Sequence, residues 1–142
     1  MLQSIIFDTL HLFYPHTCSG CGSDLLNDDQ LLCLQCINHL PHTNFAQHAN
    51  NPIEKIFWGR AAITNATALL FFTKDSIIQL LITQLKYHHN KKAGWMLGRW
   101  MGQFLMEQIK DNPIDILIPI PISNAKYHKR LYNQSMILCE GI

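Results

Sequence analysis

Apolar positions recur at helical spacing in three stretches of this chain, and two other stretches carry the denser pattern of strands. Leu2, Ile5, Ile6, Leu10 and Phe13 form one amphipathic stripe, which predicts an N-terminal helix ended by Pro15. Ile77, Ile78, Leu80, Leu81 and Leu85 form a second, preceded by Asp75 as the expected N-cap and ending near Tyr87. From Lys92 to about Lys110 a longer helix is expected, with Trp95, Met96, Trp100, Phe104 and Leu105 as its core-facing side and Pro113 as its stop. Ala61 to Phe72 is rich in small, β-branched and aromatic residues and predicts one or two strands. Asp115 to Ile122 (DILIPIPI) is a continuous apolar run of strand length, the pattern of a strand buried on both faces of a parallel sheet. Asn133 to Glu140 begins another helix. Strand, helices, buried strand, then helix is the rhythm of an α/β domain.

The polar stretches divide the chain. His42 to Pro52, with Asn44, Asn50 and Asn51, reads as a linker. It places an N-terminal helix and a cysteine module in residues 1–50 and a second domain in residues 51–142.

Chemistry enters with the cysteines. Cys18-Ser19-Gly20-Cys21 and Cys33-Leu34-Gln35-Cys36 are two C-x2-C knuckles separated by eleven residues. A two-residue gap lets both sulfurs of a knuckle point to one side, and two knuckles complete a tetrahedron around one metal ion. Gly20 and Gly22 supply the backbone freedom such a turn needs. The metal expected is a structural Zn2+, since catalytic sites keep a position open for water. Two disulfides are the rival reading and require an oxidising compartment. The opening apolar stretch contains Asp8, has no Lys or Arg ahead of it and lacks a small-residue cleavage site. A cytoplasmic chain is therefore expected. His16 is a candidate for a hydrogen bond beside the site, and His39 and His42 are weaker candidates as ligands. Cys139 stands alone in an apolar stretch and reads as a small buried hydrophobe.

Nearly half the residues are hydrophobic, 15% are charged and the formal net charge is +1. That suits a packed core and provides no global field to draw nucleic acid. No run reaches the length of a membrane span. The cations are nonetheless segregated. No acid lies between Ser76 and Met106, where Lys86, Lys91, Lys92 and Arg99 fall, nor between Ile116 and Cys139, where Lys126, Lys129 and Arg130 fall. Either a solvated basic face or an anion site accounts for this.

In order along the chain, Phe13-Tyr14-Pro15, the two knuckles, Leu40-Pro41, Ile82-x2-Leu85-Lys86-Tyr87, Ile118-Pro119-Ile120-Pro121 and Arg130-Leu131-Tyr132-Asn133-Gln134 resemble the ComF/GntX family. The resemblance runs the length of the chain. It implies a small zinc-ribbon-like module followed by an incomplete type I phosphoribosyltransferase domain, an α/β fold with a Rossmann-like parallel sheet. It implies a link to natural competence and DNA uptake, a phosphoribosyl diphosphate-type ligand, and Mg2+ in the full-length protein. Under it, Lys126, Lys129, Arg130, Asn133 and Gln134 lie beside the phosphate, and Lys86 adds a further cation. The family has glycine where this chain has Leu131. The family's acidic pair and Thr-Gly-x-Thr-like loop are not found, since the adjacent acids Asp28 and Asp29 lie inside the cysteine module. The expectation is therefore a chain truncated at its C-terminus and inactive alone.

Three functions stay open on the sequence. One is a phosphoribosyltransferase-family protein lacking its catalytic loop. Another is a non-enzymatic adaptor that contacts single-stranded DNA or a competence helicase, with Tyr87, Trp95, Tyr127 and Tyr132 near the cations. The last is a zinc-stapled domain used only for protein contact.

Overall fold

The computed structural model describes residues 16–24, 26, 30–110 and 113–142. The expected N-terminal helix lies outside the described residues. The chain forms two compact units, residues 1–40 and 41–142.

In the first unit the knuckle at Cys18 leads through a loop to a short helix, α1 (Leu34–Asn38). Its buried residues are Leu31, Leu32 and Leu40 together with Cys18, Cys33 and Cys36. Among the described residues of this unit the cysteine side chains are therefore as much a part of the buried interior as the leucines.

The second unit begins where a linker was expected. His42 pairs with Leu70 in an isolated antiparallel bridge, flanked by backbone bonds from Phe71 N to Pro41 O (2.8 Å) and from Thr43 N to Leu69 O (3.1 Å). A 3-10 turn (Phe45–Gln47) follows, and Asn51 caps α2 (Pro52–Phe57). The buried Asn51 amide uses its full capacity. Nδ2 donates to the carbonyls of Phe45, His48 and Ala66, and Oδ1 accepts from Ile53 N and Glu54 N. An asparagine that reads as loop composition in sequence is therefore the knot of this segment.

The next helices match the periodicity. α3 spans Ile77–Tyr87 and buries Ile78, Leu81 and Leu85, one stripe at helical spacing. Its cap is Ser76, whose Oγ accepts from Gln79 N at 3.2 Å, and not Asp75, which sits in the left-handed region at φ 58°. α4 spans Lys91–Ile109 behind Asn90, whose Oδ1 accepts from Ala93 N. α5 (Asn124–Arg130) and α6 (Gln134–Gly141) complete the chain, and α4 packs against both α3 and α6.

The buried side of α4 differs from the expected one. Ala93, Gly94, Leu97 and Gly98 are covered, whereas Trp95 is exposed. The reason is close backbone approach: a methyl at Gly98 would overlap Leu138 O on α6, and one at Gly141 would overlap Trp95 O. A helix pair this tight must meet on its smallest residues, so Trp95 turns outward while Trp100 and Phe104 are half-buried.

The α/β expectation is overturned. Among the described residues there is no strand, and hence no Rossmann-like parallel sheet and no ribbon of strands around the cysteines. Residues 115–122, expected as a strand buried on both faces, lie open, with Ile116, Ile118 and Ile120 more than 70% exposed. Apolarity alone does not make a strand, which exists only through hydrogen bonds to a neighbour. Among the described residues the bond to this run is the one from Asn133 Nδ2 to Ile120 O. Pro119 and Pro121, two residues apart, also remove N–H donors from what would be one edge. Ala61 to Phe72 likewise contributes only the bridge at Leu70.

Candidate metal centre and basic surface

The four knuckle sulfurs converge. The Sγ atoms of Cys18, Cys21, Cys33 and Cys36 all lie within 4.8 Å of one another. Cys21 and Cys33 are separated by 3.6 Å. A tetrahedral ion with sulfurs at about 2.3 Å requires S···S separations of about 3.8 Å, so the quartet fits such an ion with small adjustments.

Local backbone geometry produces this convergence. Gly22 takes φ 74°, and its N–H closes the first knuckle onto Cys18 O at 2.8 Å while Cys18 N donates to Ser23 O at 2.7 Å. Ser19 N donates to Leu31 O, drawing the second knuckle alongside. Cys33 immediately precedes α1, which places Cys36 in the first turn of that helix.

Two of the four thiols are pushed in opposite directions. Burial works against ionising Cys18, yet N–H groups of Cys33, Cys21 and Gly20 aimed at its sulfur bring the pKa down to about 6. Cys36 is pushed in the opposite direction, first by burial and then by the sulfurs of Cys21, Cys18 and Cys33 around it. Four thiolates in a space this small repel one another unless a divalent ion neutralises them. The free thiols, without disulfide, leave every sulfur open to coordination.

Among the described residues the cluster consists of the four cysteines, without His39 or His42. His39 Nδ1 donates to Gln35 O at 2.7 Å. His16 Nε2 donates to Gln30 O at 2.7 Å and so braces the loop between the knuckles.

In the second unit three separated motifs meet. The buried Tyr132 hydroxyl donates to Leu85 O, joining the Arg130–Gln134 segment to the end of α3. Asn133 Nδ2 donates to Ile120 O at 2.9 Å, joining the Ile118–Pro121 run to the same place. Lys129 Nζ and Arg130 Cζ lie 5.6 and 5.7 Å from the centre of the exposed Tyr87 ring. Lys126 lies one turn earlier on α5 and Lys86 directly precedes Tyr87 in the chain, while the two cations that reach the Tyr87 ring are Lys129 and Arg130. Among the described residues none of Lys86, Lys126, Lys129 and Arg130 is paired with a carboxylate.

Gln134 and Asn133, expected beside the phosphate, are each engaged in hydrogen bonds within the chain. Gln134 is buried, with Oε1 accepting from Arg130 Nη1 at 2.8 Å and Nε2 donating to Tyr132 O. Asn133 divides its amide between Ile120 O and the N-terminus of α6, where Ser135 N donates to it. They orient Arg130 and the neighbouring loop. Tyr87 is the exposed aromatic of this surface, and the buried Tyr132, whose ring lies 5.2 Å from Lys91 Nζ, supports it from below.

Comparison of the chain with protein-family profiles, with curated proteins and with solved structures found no match. Among the described residues no helix is long and apolar enough to cross a membrane.

Proposed function

We propose that this chain is a ComF/GntX-like protein of DNA uptake, in which Cys18, Cys21, Cys33 and Cys36 hold a structural Zn2+ and the second unit binds a phosphoribosyl diphosphate-type ligand on its basic surface. The observation that carries the reading is the convergence at Tyr87, where Leu85-Lys86-Tyr87, Ile118–Pro121 and Arg130–Gln134, the segments of the resemblance within this unit, come together with unpaired cations. Arg130, held by Gln134, presents a planar fork suited to phosphate, and Lys129 adds a mobile point charge. Zinc is the metal that four cysteine sulfurs in this spacing select.

A second reading rests on the exposed face of Tyr87. An aromatic ring flanked by cations is a stacking platform for single-stranded DNA, and an adaptor role follows.

Calorimetric titration of the zinc-loaded chain with phosphoribosyl diphosphate, inorganic pyrophosphate and a single-stranded oligonucleotide separates the two. Binding of phosphoribosyl diphosphate that disappears in a Lys129→Ala, Arg130→Ala double variant supports the first. Oligonucleotide binding alone, with log affinity falling against log salt at about −0.7 per phosphate contact, supports the second. Failure of both ligands to bind sinks both readings.

A further inference from the structure

The sulfurs of the quartet are not equivalent. Cys18, Cys33 and Cys36 are buried, and Cys21 alone is exposed. The Cys18 sulfur is shielded further by the N–H groups of Gly20, at 3.4 Å, and Cys33, at 3.2 Å. Each such bond withdraws charge from Cys18 and lowers its reactivity toward an electrophile. Cys21 is reachable from solvent, and the Cys33 sulfur lies 3.6 Å from it on the other knuckle.

We infer that Cys21 is the redox-sensitive sulfur of the metal centre, and that oxidation by a hydroperoxide joins it to Cys33 and ejects the ion. The inference rests on the zinc reading above. The Cys21 thiolate attacks the peroxide, the O–O bond breaks, and with one proton taken up the products are a sulfenic acid and water. The Cys33 thiolate then displaces hydroxide from that sulfenic sulfur to form the disulfide. In sum, two thiolates, one hydrogen peroxide and two protons give one disulfide and two waters, the thiolates being oxidised and the peroxide reduced. With half its ligands gone the ion leaves as Zn2+. A disulfide across the two knuckles keeps the loop closed, so the chain stays connected where its metal has been lost and can rebind zinc after thiol reduction.

The test uses the full chain with Cys139→Ser, to remove the remaining free thiol. Elemental analysis first establishes one zinc per chain. Hydrogen peroxide is then added, zinc release is followed with a chromogenic chelator, and disulfides are mapped by mass spectrometry of non-reduced peptides. One zinc released per disulfide, with Cys21–Cys33 as the main pair, is the expected result. Cys21→His, which retains a Cys3His set, should release zinc at least tenfold more slowly. Should that variant not load zinc, the order of iodoacetamide labelling in the zinc-loaded parent decides, with Cys21 expected first. A different main pair, a different first-labelled cysteine, or zinc retained under excess peroxide overturns the inference and leaves the zinc reading intact. A metal-free preparation sinks both.

Discussion

The hydroxyl of Tyr132 donates to the carbonyl oxygen of Leu85 across a sequence separation of 47 residues. That carbonyl belongs to the last turn of α3, so the bond ties the loop before α6 to the end of the helix that carries Lys86 and Tyr87. Leu85, Tyr132 and Ile137 form one buried cluster at this junction. Position of the basic surface and stability of the core are therefore coupled through a single phenol.

Replacing Tyr132 with Phe should cost about 1–3 kcal/mol, because the ring still packs but a buried carbonyl loses its donor. Denaturant unfolding measures this. Burial raises the Tyr132 pKa above the ordinary phenol value, with Arg130 opposing, so the folded state favours the protonated form. This contribution is complete below about pH 10, the unfolded value, and is lost as pH rises through the folded one. The Phe variant should show a shallower loss of stability above pH 10, and an unchanged alkaline profile would contradict the assignment.

Gly98→Ala separates helix propensity from packing. In an isolated helix the change is favourable by about 1 kcal/mol. Here the methyl meets the Leu138 carbonyl of α6, and backbone yields less readily than a side chain. A net destabilisation of about 1–3 kcal/mol is expected from urea titration. A gain in stability would show that α4 and α6 do not approach this closely.

Chelation of the metal should unfold the first unit while leaving the helical signal of the second largely intact. Structural zinc contributes on the order of 10 kcal/mol to modules of this kind. Acid should act in the same direction. Cys18 is depressed from the usual thiol range to about 6, so its stabilising contribution is present above the unfolded value near 9 and disappears as pH falls through about 6. Zinc retention followed against pH should fall on the acid side, where protons compete with the ion for the sulfurs. Release confined to alkaline pH would be inconsistent with thiolate coordination.

Leu131 caps α5 in the left-handed region at φ 63°, with its side chain mostly in solvent. A non-glycine residue there costs about 1–2 kcal/mol, while glycine costs about 0.5–1 kcal/mol of unfolded-state entropy. Leu131→Gly should therefore leave stability unchanged or raise it by up to about 1.5 kcal/mol, read as a higher melting temperature. A clear loss would mean that the exposed leucine makes a contact stronger than its strain.

The helices were legible where their signals are local. The stripe Ile78, Leu81 and Leu85 marks α3 because burial of one face needs no knowledge of the partner. α4 was legible in extent but not in orientation, since the residues that meet α6 are glycines, which carry no hydrophobic signal. The reading of residues 115–122 as a buried strand failed for a different reason. A continuous apolar run reports a tendency to be covered, and only paired neighbours make it a strand. The linker reading at residues 42–52 missed Asn51 because polar composition does not reveal a side chain that satisfies five backbone groups.

By itself the sequence determined the cysteine quartet. Two-residue gaps and a flexible glycine constrain sulfurs within a knuckle through covalent geometry, whatever the rest of the chain does, and the sulfurs indeed converge within 4.8 Å. It also determined which segments are rich in cations. Tertiary structure alone decided that Tyr87 receives Lys129 and Arg130, that Gln134 is a strut, and that Cys21 is the exposed member of the quartet. Those outcomes depend on contacts between residues far apart in the chain, and such contacts are selected by packing and hydrogen bonding among whole elements, which no local pattern encodes.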